Sequence, residues 1–309
     1  MFLYDEESKK LFVTVPSKLQ YNFDFLNNIT ELMDKVNHSE CDMICFYSKK
    51  ISFNFDKLSA AYLWNTILFL GRDKTILISQ PLYDLFHDQV SHSDGEKFEK
   101  IDITKVSESK SQQCYCIRND KSVNQTVQRL VDFISENNLV LENAKEFLVT
   151  TIGEIFTNAF GHSNEKKAFF MYDIEWYNQK FYLVINIADY GKTIVHNVQQ
   201  YQKSKFGREM DCIECIRWAV EIGNTTRLGS GGYGLPTLID YVRNIKGELL
   251  IFSGNGIYAL KEKKENMLNS KGNFYGTSIS MKIPLFDTSQ VIIFDETKNK
   301  IGSMDLDKI

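Results

Sequence analysis

Prolines are scarce: only four occur in 309 residues and none stand together, so no proline-rich linker marks a domain boundary. Long basic runs are also missing, and 36 lysines and arginines against 40 acidic residues leave a net charge of −4. Such a surface offers no footprint for a phosphate backbone or an anionic bilayer, and neither nucleic acid nor membrane is expected as a partner. No uninterrupted apolar stretch approaches the length of a membrane span. The opening "MFLYDEESKK" has acidic residues where a secretory signal needs a basic start and an apolar segment. The expected location is cytoplasmic. Cysteine is confined to three close pairs, Cys41 with Cys45, Cys114 with Cys116, and Cys212 with Cys215. Structural zinc needs four ligands on knuckle-like loops, whereas "MDCIECIRWAVEIG" reads as a helix and Cys114 and Cys116 alternate as in a strand. Buried free thiols are the expected state.

What the chain does have is 43% hydrophobic and 13% aromatic residues, enough for one large core or two ordinary ones. Polarity shifts around "SQQCYCIRNDKSVNQ". The expected division is a smaller α/β domain over residues 1–120, a larger α/β domain over 121–290, and an extension over 291–309. In the first, "CDMICFYSK", "FDKLSAAYLWNTILFLG" and "KTILISQ" read as strand, helix and strand, a βαβ-like unit. This arrangement resembles STAS-like domains of bacterial regulatory proteins, which implies a role in partner binding or regulation. In the extension, "VIIF" reads either as an extra strand or as a docking segment.

The larger domain opens with two helical patterns, "VNQTVQRLVDFISEN" and "LENAKEFLVTTIGEIFTNAFGHS". On the second, Leu148, Ile152, Ile155 and Ala159 share a face, and Glu154, Asn158 and His162 follow one another at four-residue spacing along its margin. The strands "KAFFMYDIEWY" and "KFYLVINIADYG" come next, the second ending at Asp189. After a polar segment and a short helix near Cys212, "GSGGYG" precedes a helix that Pro236 can begin. "GELLIFSG", "GIYALKEKK" after a turn at Asn255-Gly256, and "YGTSISMKIPL" read as closing strands.

Each motif alone is weak, but together they suit a purine nucleotide with magnesium. Asp189 at a strand end can accept a hydrogen bond from the amine of adenine, Gly191 leaves room for the ring, and the Thr277 hydroxyl supports both. Gly229, Gly231, Gly232 and Gly234 let backbone amides approach phosphates, and the helix starting near Leu235 adds its positive dipole end. Asn158 offers a neutral oxygen to a magnesium shell completed by phosphate and water. Glu154 is placed to orient or deprotonate a water.

These residues resemble the GHKL superfamily, the ATP-binding fold shared by gyrase, the large heat-shock chaperones, histidine kinases and mismatch-repair ATPases. "ExxxNAxxHS" from Glu154 is similar to its asparagine box, "DYG" to its first glycine box, "GSGGYGL" to its second and "GTS" to its third. The resemblance spans roughly residues 123–285. It implies a two-layer α/β sandwich of the Bergerat type, a mixed sheet with helices on one face, ATP and magnesium bound between them, and a mobile lid over residues 192–228. Thr193 stands where the family commonly has a further glycine, and no lysine is identifiable that would reach the terminal phosphate. His162 reads equally as a phosphate-side contact or as a capping or packing residue. Hydrolysis of ATP as a conformational switch is the first function implied, phosphorylation of a protein serine in the anti-sigma manner the second, and nucleotide sensing without turnover the third. A protein partner acting through the N-terminal domain is expected, and monomer and homodimer stay open.

Overall fold

The computed structural model describes residues 2–48, 53–86, 98–100, 114–117, 120–136, 142–163, 168–177, 180–226, 231–285, 292–295 and 300–303. The chain is an α/β protein. Its first half begins with β1 (Phe2–Asp5), β2 (Lys10–Thr14), β3 (Lys18–Leu19), α1 (Phe23–His38) and β4 (Met43–Tyr47). It continues through β5 (Asn54–Phe55), α2 (Lys57–Leu70), β6 (Thr75–Ser79), α3 (Gln80–Phe86) and β7 (Phe98–Lys100). The main sheet has the order β1-β2-β4-β6-β7, with β2, β4 and β6 parallel. The βαβ unit read from the sequence is therefore β4-α2-β6, and β2-α1-β4 precedes it in the same sense. Asn22 caps α1 by accepting from the Phe25 N–H at 2.9 Å, and Asp56 caps α2 by accepting from the Ser59 N–H at 2.9 Å.

The second half comprises β8 (Cys114–Ile117), α4 (Asp120–Glu136), α5 (Glu142–Ser163), β9 (Ala168–Tyr177) and β10 (Lys180–Asp189). Then come α6 (Ile194–Phe206), α7 (Cys212–Val220), α8 (Gly234–Asn244), β11 (Glu248–Lys261) and β12 (Lys264–Pro284). The short strands β13 (Ile292–Asp295) and β14 (Lys300–Ser303) pair with each other, so the described part of "VIIF", Ile292 to Phe294, lies in a strand. The large sheet has the order β11-β12-β10-β9-β8, and β8 joins it from upstream of residue 121.

Every described pairing in this second sheet is antiparallel, where a mixed sheet was expected. The reason is that β12 inserts between β10 and β11, so the crossover through α6, α7 and α8 joins strands that do not touch. The closing hairpin turn also differs from the expectation. Asn255-Gly256 sits within β11 at a bulge, and the chain reverses at Glu262 and Lys263, both with positive φ (51° and 65°). The polar segment after β10 contains a helix that the sequence reading passed over. Thr193 caps α6, Gly207 ends it in the left-handed conformation at φ 63°, and Asp211 with Glu214 forms a capping box on α7. Val195, Val198, Met210, Cys215 and Ile216 from this region are buried in the core, so α6 and α7, within the expected lid, are each anchored.

The two halves share one buried cluster, and the second half has another of its own. The layers run sheet, helices, sheet, helices: α1 and α2 lie between the two sheets, and α4 to α8 cover the outer face of the second. This explains the sequence of α2, apolar around nearly its whole circumference, because a helix buried on both sides has no polar face to present. Phe25, Tyr62, Trp64 and Ile67 pack in the same cluster as Phe169, Tyr190, Phe252 and Phe274. At the edge, α1 also binds β12 by polar groups. Asn27 Oδ1 accepts from the Lys271 N–H at 3.0 Å, and Asp34 Oδ1 accepts from the Tyr275 hydroxyl at 3.1 Å. Gly272 permits this approach, since a Cβ there would lie 2.7 Å from Thr30 Oγ1. Cys41, Cys45 and Cys215 are buried thiols, and burial pushes the Cys215 thiol up to about 11. Among the described residues no helix is long and apolar enough to cross a membrane.

Candidate functional site

A cavity of about 330 Å³ opens between α5, the end of the second sheet, and the loop leading into α8. That volume falls within the range of small-molecule sites. Its lining includes Glu154 and Asn158 from α5, Asp189 and Thr277 from the sheet, and Gly231, Gly232, Gly234 and Leu235 at the entrance of α8. Segments separated by more than a hundred residues of sequence thus meet at one place.

Local geometry accounts for each position. On α5, Ile152, Ile155, Phe156 and Ala159 are buried against the sheet, which leaves Glu154 exposed and Asn158 half-buried at the cavity edge. Neither side chain makes a hydrogen bond or ion pair among the described residues, so neither is committed to capping or packing. Gly234 sits directly against them: a Cβ there would lie 2.7 Å from Glu154 Oε2 and 3.7 Å from Asn158 Nδ2. Gly232 has φ +83°, and a Cβ on it would meet the Asn224 carbonyl oxygen at 2.4 Å. The loop neck is closed by the Gly223 N–H donating to the Gly232 carbonyl at 3.0 Å. Tyr233, at the N-cap of α8, gives no side-chain hydrogen bond, so the first amides of α8 carry no side-chain cap.

Asp189 is 4% exposed and ends β10 opposite Thr277 of β12. The Gly191 N–H donates to Asp189 Oδ1 at 3.1 Å. Gly191 does not itself line the cavity; it holds the carboxylate rather than opening space for a ring. The next side chain after Asp189 points the other way. Tyr190 is buried in the core shared by the two halves, its ring stacked on Phe69 at 4.2 Å and 9°, and its hydroxyl 3.4 Å from Thr66 Oγ1. Beneath it Tyr62 is fully buried, and burial, then neighbouring Tyr21 and Tyr190, holds its phenol well above its ordinary pKa and therefore neutral.

His162 lies in the last turn of α5 with its side chain outside the described residues, and Gly229 lies outside them altogether. Sequence reasoning missed Lys192, which lines the cavity two residues after Tyr190, and the polar wall formed by Asn197, Asn224, Thr225 and Thr226. The position of Lys192 directly after "DYG" was the available signal, since a residue following a site-forming strand end stays near the site. Thr193, the departure from the family's glycine, is explained by its work as the α6 cap: its Oγ1 accepts from the His196 N–H at 2.9 Å. No protein-family model matches this chain, and no curated protein sequence matches it either.

Proposed function

We propose that this chain is a magnesium-dependent ATP-binding protein of the GHKL type, with its C-terminal α/β sandwich holding the nucleotide, and that it hydrolyses ATP as a conformational switch. The observation that carries the reading is the gathering of Glu154, Asn158, Asp189, Thr277 and the Gly231–Gly234 helix entrance around one cavity. The residues fit the ligands. An uncapped helix start favours phosphate, a buried carboxylate at a strand end favours an exocyclic amine, and an uncommitted asparagine supplies a neutral oxygen. Asn158 would hold magnesium together with phosphate oxygens and water, and the ion would supply neutralisation of phosphate charge. Glu154 then orients a water and takes its proton, and Lys192 adds a positive charge to the wall. The N-terminal half is the part proposed to face a protein partner, because α2 rests on Tyr190, the neighbour of Asp189.

The test separates the two α5 side chains by their failures. Glu154→Ala is expected to bind ATP as the unaltered protein does while phosphate release drops by about a hundredfold or more, the contribution of a positioned base. Asn158→Ala is expected to lose the magnesium dependence of binding itself. Small and equal effects of both substitutions would reduce the pair to an exposed helix edge. Terminal phosphate recovered on a protein instead of in solution would replace hydrolysis with kinase activity, and tight binding with neither would leave a nucleotide sensor.

A further inference from the structure

Ser253 belongs to none of the motifs and does not line the cavity, yet it stands directly behind a residue that does. On β11 it is register-paired with Thr277 of β12, which is itself paired with Asp189 of β10. Three polar side chains therefore stand side by side on neighbouring strands. Ser253 is completely buried, and its Oγ lies 2.7 Å from Thr277 Oγ1 and 3.3 Å from the Gly276 carbonyl oxygen. The same oxygen accepts from the Ile194 N–H at 2.7 Å. A hydroxyl has one proton and two lone pairs. With the Ile194 amide filling one lone pair, either hydroxyl can supply the proton of the Ser253–Thr277 contact, and the Gly276 carbonyl is a second acceptor for Ser253. When Ser253 is the donor, Thr277 keeps its own proton for the cavity beside the Asp189 carboxylate.

Resting on the adenine-nucleotide reading above, we infer that Ser253 is a positioning residue that fixes the direction of the Thr277 hydroxyl, so that the floor presents a donor next to an acceptor. That pair matches the edge of adenine, whose ring nitrogen accepts and whose amine donates. Hypoxanthine reverses both, with a ring N–H and a carbonyl oxygen. Through Ile194 the same serine ties base selection to the first turn of α6.

The experiment is calorimetric titration of the full chain with ATP and with inosine triphosphate. The proteins are the unaltered chain, Ser253→Ala, Thr277→Val, the double variant and Asp189→Ala. Ser253→Ala should lose about fivefold in ATP affinity, the net worth of one neutral hydrogen bond, with inosine triphosphate affinity unchanged or higher. Adding Thr277→Val should cost nothing further, because both substitutions remove one proton path. Equal losses for the two nucleotides, or additive losses in the double variant, would overturn the role of Ser253. Should Ser253→Ala fail to fold, Ser253→Cys replaces it: with a weak thiol donor in place of the hydroxyl the ATP preference must narrow, and an unchanged preference is the overturning result. A preference insensitive to Asp189→Ala removes the adenine reading and Ser253 with it. A preference that collapses in Asp189→Ala but persists in Ser253→Ala removes Ser253 alone.

Discussion

The two sheets enclose the same pair of helices, α1 and α2, but use their buried polar groups differently. In the N-terminal half several of those groups close local turns: Thr30 donates to the Asn27 carbonyl at 2.8 Å and Thr66 to the Tyr62 carbonyl at 2.8 Å, while Ser59 helps seat the start of α2. In the C-terminal half Asp189, Thr277 and Ser253 line up across three strands, the first two at a cavity, and Glu154 and Asn158 reach its rim without hydrogen-bond partners among the described residues. Polar side chains satisfied by their own helix stabilise a fold. Polar side chains collected from distant strands at the wall of a cavity stand where a ligand can meet them.

The comparison can be broken first at its base, the continuity of the core. Phe46 of β4 is fully buried in the cluster that also holds Phe169, Tyr190, Phe252 and Phe274. Phe46→Ala should destabilise the protein by about 3–5 kcal/mol, the usual cost of emptying an aromatic core position. Thermal unfolding followed by two probes, one in each half, should show a single transition moving together. Two separated transitions would divide the halves into independent folding units. A smaller effect sharpens the other side of the contrast. Gly234→Ala puts a Cβ where Glu154 Oε2 now lies, and the flexible end of that side chain can give way. Stability should change by no more than about 1 kcal/mol, the scale of a glycine-to-alanine exchange in a helix. Phosphate release should nevertheless fall by roughly tenfold or more, since a misplaced catalytic group is costly to rate. Unaltered turnover in that variant would place Glu154 outside the reaction.

Much of the cavity was legible because its signals are local. The four-residue spacing of Glu154 and Asn158 follows from helix geometry, the strand ending at Asp189 is a near-continuous apolar run, and the glycines before Pro236 announce a helix entrance. Thr277 was legible only through its place in "GTS". Ser253 was not, because its meaning lies in the register of β11 against β12, and a bulge between Ser253 and Gly256 breaks any counting from the hairpin turn. The same bulge explains why Asn255-Gly256 looked like the turn itself. Helix α6 was hidden by its polarity: it buries only Val195, Val198 and Gln202, a stripe too thin to register against its lysines and glutamines. Its cap Thr193 and terminal Gly207 were the readable signals. The sandwiching of α1 and α2 was foreshadowed by the all-round apolarity of α2, but which sheet would cover its second side depends on contacts more than a hundred residues away.

The central claim is that the C-terminal cavity reads adenine through Asp189. Calorimetric titration of magnesium and ATP into the unaltered protein and into Asp189→Ala tests it directly. The account predicts saturable binding to the first and an affinity at least about tenfold weaker in the second, because a desolvated amine donor loses its charged acceptor. No binding to the unaltered protein, or equal affinity in a folded Asp189→Ala protein, would contradict it.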